Sequence, residues 1–398
     1  MKTSDLSRWE KLYLELSLQL NKYIPGLIDA YYGPEDLKHK IEGQEKPSLS
    51  ELSSMCNELL DLIKANEFEE SRRTYLLKQI QALNTSIKAL SGEKFGFLEE
   101  VSLCFDIFPE KHDEDKFDEA ISKFDEILPG KGSVIERMTL WKNSMAVTKK
   151  DLLTLLEASM KEVKQRTLKL FELPASETLE IKLTSQQPWS AYNWYLGNYR
   201  SLIEFNTDLP SQITTLVNIM AHEGYPGHHT EHCLKEYLLY RQKGYIEHAV
   251  LLVRAPESVI AEGIATFAEE VIFERKELLE WVLQHLGPIA QIDFDPELEK
   301  EILDAVKELF YVAGNAAYLF YVENMPEDQV VDYVAKYGLM KKEEAKKRIS
   351  FIKDPLWRPY VYNYTEGYKL VERYLGRPFD LNKFKKLLTE QIVPSQLY

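Results

Sequence analysis

The chain has 398 residues, of which 44% are hydrophobic and 28% charged, the balance of a globular protein with a sizeable core, in one large domain or two to three modest ones. A formal net charge of −15 argues against a nucleic-acid partner gripped through excess Lys and Arg. The opening MKTSDLSRWEK has no apolar core, no window approaches the roughly 18 uninterrupted apolar residues of a membrane span, and Cys56, Cys104 and Cys233 form no paired motif; a soluble cytoplasmic protein with no membrane partner is expected.

From Ser7 to about Leu170 the pattern is mostly helical. Leu12, Leu14, Leu16, Leu18 and Leu20 alternate as a strand would, yet Leu12, Leu16 and Leu20 also form an i,i+4 stripe, and the Leu, Glu and Gln content favours helix. Leu52, Met55, Leu59 and Leu62 line one face of a second helix. Pro25-Gly26, Gly33-Pro34, Pro47, Gly92 and Pro129-Gly130 interrupt the helices. Thr148, with Asp151 three residues on, caps a helix expected over about 149–171. These elements make an N-terminal helical lobe of about residues 1–172, and no linker marks a domain boundary after it, so 1–398 reads as a single domain.

Residues 173–398 form the second half. Thr178–Thr184 alternates as a strand, and Tyr199–Asn206 is a second. The aromatic, turn-rich Gln186–Asn198 lies between them and suits a long hairpin. A helix opening near Asp208-Leu209-Pro210-Ser211 carries Ile213, Leu216, Val217, Ile219 and Met220 into AHEGYPGHHTEH, residues 221–232. Five of the eight histidines fall between His222 and His248, and four lie in that motif. Imidazoles beside carboxylates are the ordinary ligands of a divalent transition metal.

In zincins, two His one helical turn apart bind the ion, and the Glu beside the first His activates the metal-bound water. His222-Glu223 fits that start, but the i+4 position is Pro226, which cannot ligate and which kinks or ends the helix. Gly227 lets the chain turn back, so that His228 can return to the metal. His229 is the rival: at i+7 it shares the face of His222, but about 10 Å further along a straight helix. His228 and His232 form an i,i+4 couple of their own.

Beyond the motif, helices are expected over about 257–286, 299–321, 327–337, 342–352, 364–375 and 380–390. The first of these carries Glu262 among Val259, Ile260, Ala261 and Ile264. A carboxylate there is costly to bury unless paired or metal-bound, which makes Glu262 the best third ligand. Gly263 and Ala265 would let this helix approach the motif helix closely, with Thr266 and Glu269 on the face of Glu262 to orient the imidazoles.

HEGYPGHH followed by EGIATFAEE resembles the HExxPGHH family of metallopeptidases, grouped with the gluzincins, and Tyr364-Thr365-Glu366-Gly367 resembles its YxxG element. The resemblance implies a mainly α, zincin-like (gluzincin) fold with a small β-sheet next to the metal-binding helix. It implies one Zn2+ per chain on His222, His228 and Glu262, with Glu223 as base and Tyr364 donating its hydroxyl to the developing oxyanion. Asp29-Ala30-Tyr31-Tyr32-Gly33-Pro34 shares the family's flavour without obvious chemistry.

The expected function is zinc-dependent hydrolysis of short or unfolded peptides, with a carboxypeptidase or oligopeptidase favoured. The strand before the motif helix stands where zincins keep an edge strand, to which an extended peptide can add. A carboxypeptidase needs a cation near the site, and Arg200, Arg254, Arg358, Lys369 and Arg373 are the nearest in sequence to motif elements. The alternatives are a metal hydrolase of a non-peptide amide or ester, and a non-catalytic helical binding protein with a structural metal. An intact Glu223 argues against the last, because a structural site needs no general base.

Overall fold

The computed structural model describes residues 2–187, 189–354 and 358–398. It is mainly helical, 65% helix against 8% strand, so its strands suffice only for two small sheets.

In chain order, α1 (Arg8–Asn21) leads to β1 (Ile28–Tyr31), then α2 (Glu35–Glu42), α3 (Leu49–Ala65), α4 (Glu70–Leu90), α5 (Phe97–Phe105), α6 (Glu114–Ile127), α7 (Val134–Ser144) and α8 (Lys149–Thr167). Helix α1 buries Leu12, Leu14, Leu16, Leu18 and Leu20 together, so it is enclosed on several faces at once, which is why its leucines alternate without forming a strand. In α3 the buried stripe is Leu52, Cys56, Leu59 and Ile63, with Met55 and Leu62 flanking it. Thr148 caps α8, its side chain accepting from the Asp151 N–H, although the helix stops at Thr167 rather than 171.

The first half is not purely helical. Strand β1 pairs antiparallel with β5 (Val250–Leu252). The core around Trp9, Leu16, Leu59 and Leu83 also takes in Tyr240, Ile246, Val250 and Ala255, so packing runs across the 172/173 division.

The main sheet corrects the expected hairpin. Strand β2 (Thr178–Thr184) lies parallel to β4 (Arg200–Asn206), and β3 (Ala191–Gly197), from the stretch read as a connection, lies antiparallel to β4 on its other side. The 199–206 strand is therefore central, not an edge; the edge next to the metal motif is β3. Asn198 and Tyr199 turn β3 into β4 with positive φ (54° and 60°), a conformation uncommon for non-glycine residues. Buried Glu236 holds this turn by accepting from both backbone N–H groups and from the Tyr195 hydroxyl.

The remaining helices are α9 (Leu216–Glu223), α10 (His228–Lys235), α11 (Pro256–Ile272), α12 (Arg275–His285), α13 (Gly287–Ala290), α14 (Pro296–Glu308), α15 (Val312–Tyr321), α16 (Glu327–Tyr337), α17 (Lys342–Lys353), α18 (Val361–Leu375) and α19 (Leu381–Thr389). The helix expected over 257–286 is broken at Phe273, whose extended backbone seats its ring under the Arg166 guanidinium, 3.7 Å from the ring centre. The 299–321 helix starts earlier, behind an Asp295 cap, and is divided by a 3-10 turn at Leu309–Tyr311. Among the described residues no helix is long and apolar enough to cross a membrane.

Candidate metal centre

Helix α9 buries Leu216, Val217, Met220 and Ala221 against α8 and α11. Its last regular bond runs from the Gly224 N–H to the Met220 carbonyl, 3.0 Å. After the Tyr225-Pro226 turn, the Gly227 N–H reaches back to the Ala221 carbonyl at 3.0 Å. The chain here lies so close to its own helix that a Cβ on Gly227 would stand 2.0 Å from the His222 carbonyl oxygen. Helix α10 restarts at once, and the rings of His222 and His228 meet edge to face with centroids 4.8 Å apart.

Glu262 completes the group. Its Oε2 lies 3.5 Å from His222 Nε2 and 3.8 Å from His228 Nε2, and one ligand atom from each residue falls within 4.8 Å of the others. Tetrahedral zinc with bonds of about 2.1 Å places neighbouring donors about 3.4 Å apart. Glu262 Oε1 accepts from the Tyr360 hydroxyl at 2.6 Å, whereas buried Oε2 makes no hydrogen bond among the described residues. A buried carboxylate oxygen without a donor is costly, and a cation held between it and two imidazoles removes that cost. The residues fit a divalent transition metal, with a fourth position left for water or substrate.

Electrostatics treat the two imidazoles differently. Burial pushes the His228 imidazole down to about 4, which keeps it neutral, as a ligand must be. His222 is raised: burial opposes its charge, but Glu262 and Glu223 outweigh it, and the Ala265 backbone assists. Glu262 is held below the usual carboxylate range, because the two imidazoles and Tyr360 overcome its burial. Glu223 is pushed up to about 7, chiefly by burial, with Glu262 and Asp29 acting the same way against His222. Its backbone carbonyl accepts from Asn193 Nδ2 of β3 at 2.5 Å, which ties the end of α9 to the sheet.

His229 is not in the group. It is fully buried, with Nδ1 2.8 Å from Ser201 Oγ and Nε2 2.9 Å from Glu177 Oε2, and it pins α10 to the sheet. His232 stacks on His228 at 5.9 Å, and buried Cys233 touches His229; neither joins the triad. His248 is buried and stacked on Tyr75.

Tyr364, on α18, faces the same group. Burial first, then the charges of Glu262 and Glu223, raise its phenol well above the ordinary value, and its hydroxyl makes no hydrogen bond among the described residues. Helix α18 comes this near because two glycines oppose each other. A Cβ on Gly263 would sit 2.5 Å from the Gly367 carbonyl oxygen, and one on Gly367 would sit 2.5 Å from that of Val259. Gly263 therefore serves the contact with α18, not the approach to the motif helix expected of it. The expected role of Thr266 and Glu269 also fails. Glu269 pairs with Arg275 at 2.9 Å, and Thr266 Oγ1 has no hydrogen-bond partner among the described residues.

Two residues near the centre were not singled out from the sequence. Tyr360 sits one helical turn before Tyr364, a spacing that could have flagged it. Asp29, in the DAYYGP stretch, accepts a hydrogen bond from the Tyr192 hydroxyl and raises the carboxyl of Glu223. No local signal places it there; only the pairing of β1 with β5 does. The five cations considered for a substrate carboxylate are otherwise engaged or remote. Arg254 and Arg358 both pair with Glu100, Lys369 pairs with Glu366 at 2.9 Å, Arg373 lies over the Tyr398 ring, and Arg200 is exposed at the start of β4.

No protein-family profile and no curated protein sequence matches the chain. Among solved structures, a provisionally assigned lipoprotein from Colwellia psychrerythraea is similar in fold, with a TM-score of 0.56 at 15% identity over 91% of this chain and 68% of that one. That likeness concerns the fold alone.

Proposed function

We propose that the chain is a zinc-dependent metallopeptidase of the zincin-like, gluzincin type, hydrolysing short or unfolded peptides. The observation that carries the reading is the convergence of His222, His228 and the unpartnered Glu262 oxygen beside Glu223. His222, His228 and Glu262 would hold the ion, and Tyr360 fixes which Glu262 oxygen faces it. The chemistry an ion supplies there is Lewis-acid polarisation of a carbonyl and a water pKa lowered to roughly 7. Glu223, raised to about 7, is matched to take a proton from the attacking water and deliver it to the leaving amine. Tyr364 offers an uncommitted hydroxyl to the oxyanion. Three buried, unpaired cysteines suit a reducing cytoplasm.

The test is cleavage of a mixed peptide library by wild type and by Glu223→Gln, each with its metal content measured, before and after chelation. The reading requires chelator-sensitive cleavage that Glu223→Gln lowers by about 100-fold or more with metal retained. Full activity in Glu223→Gln would sink it. Stoichiometric metal with no cleavage would favour an amide or ester substrate, or a structural metal.

A further inference from the structure

Asp29 is the acidic group near the centre that the proposed chemistry does not use. It lies on β1, partly exposed, with Oδ1 accepting from the Tyr192 hydroxyl. No ion pair joins it to a Lys, Arg or His among the described residues, and Oδ2 makes no hydrogen bond there. Tyr192 adjoins Asn193, whose Nδ2 donates to the Glu223 carbonyl at 2.5 Å, so Asp29 stands beside the centre; burial and then Glu262 raise the Asp29 carboxyl, and Asp29 raises that of Glu223. A half-buried carboxylate with one neutral donor is suited to pairing with a cation, and none among the described residues does so.

Its surroundings specify the cation. Tyr192 and Trp194 alternate with inward-facing Asn193 and Tyr195 on β3, so their rings stand on the strand's outer face. Tyr192 packs against Trp194 at 4.6 Å and Trp189 at 5.7 Å, and Trp194 is 39% exposed. An aromatic shelf ending at an unpaired carboxylate suits an organic ammonium, which gains both the ion pair and the ring faces.

We propose that Asp29, oriented by Tyr192, receives the protonated α-amino group of the substrate, so that the enzyme cuts peptides from their amino end. This rests on the peptidase reading for the cleavage step, though not for amine binding. The carboxylate would then act on KM and on which bond is presented, and Tyr192 would act through it as a positioning residue.

Two measurements on the metal-loaded protein separate the ideas. The first compares cleavage of paired peptides with free and N-acetylated amino termini. The second is calorimetric binding of leucinamide against N-acetyl-leucinamide. Wild type should prefer the free amine at least tenfold in both. Asp29→Asn should abolish the preference with metal content unchanged, mainly through KM. Tyr192→Phe, which keeps the carboxylate, should weaken it by a smaller factor. Equal cleavage of blocked and free peptides, or equal loss of both in Asp29→Asn, overturns the proposal. An Asp29-dependent leucinamide preference without any cleavage supports the amine site and removes the peptidase reading; no preference and no cleavage removes both.

Discussion

Tyr360→Phe is the sharpest probe of the metal centre, because it removes one oxygen and leaves the ring in place against Phe105 and Tyr364. In wild type that hydroxyl donates to Glu262 Oε1 at 2.6 Å, where solvent does not readily substitute. A hydrogen bond to a charged acceptor contributes about 1.5–3 kcal/mol. Without it Glu262 keeps only the two imidazoles to hold its charge among the described residues, its carboxyl titrates higher, and a proton competes better with the ion. At about 1.4 kcal/mol per tenfold, zinc affinity should fall about 10- to 100-fold. The deficit should widen as pH drops towards the raised carboxyl value. Competition with a chelator of known affinity reads this directly, with circular dichroism as the check on fold. A variant that binds zinc within twofold of wild type across pH 6–8 would refute the claim that Tyr360 orients a ligand.

The neighbouring histidines should part company. His228→Ala should abolish stoichiometric metal binding while costing the metal-free protein little stability. His229→Ala should destabilise by about 2–4 kcal/mol, since it leaves a buried gap, takes the partner of Ser201 Oγ and removes one of the three groups that hold Glu177; chemical denaturation paired with metal analysis distinguishes the two. Gly263→Ala drives a methyl into the Gly367 carbonyl at 2.5 Å and should cost several kcal/mol or displace α18, seen as a drop in Tm. Glu177 is held down at about 2, because His229, Lys164 and Tyr225 overcome its burial. Its folded value lies below the unfolded one, so its contribution of about 2–3 kcal/mol is present above pH ~4.5 and is lost as pH falls towards 2. Glu177→Gln should flatten acid denaturation over that window, and an unchanged profile would show that Glu177 anchors nothing.

Much of the chain was legible in its sequence because the signals were local. The Thr148 cap, the 3.6-residue periodicity and the paired breakers carried most helices, and 327–337 was placed to the residue. The return of His228 to His222 was legible because Pro226 ends the helix and Gly227 lets the chain turn back, and the buried place of Glu262 beside them because a lone carboxylate in an apolar helix needs a reason to be there.

Three things only the tertiary structure decided. The choice of His228 over His229 depends on how far the chain doubles back after Pro226, and on Ser201 and Glu177 arriving from distant strands to claim the second imidazole. Strand order turns on long-range pairing: β2 and β3 compete for the two edges of β4, and neither periodicity nor turn residues say which strand is central. Asp29 reaches the centre because β1 crosses more than 200 residues of sequence to pair with β5. Local propensity spans one helical turn or one strand, whereas the charge balance at Glu223 is set by side chains that adjoin only after the whole chain has packed.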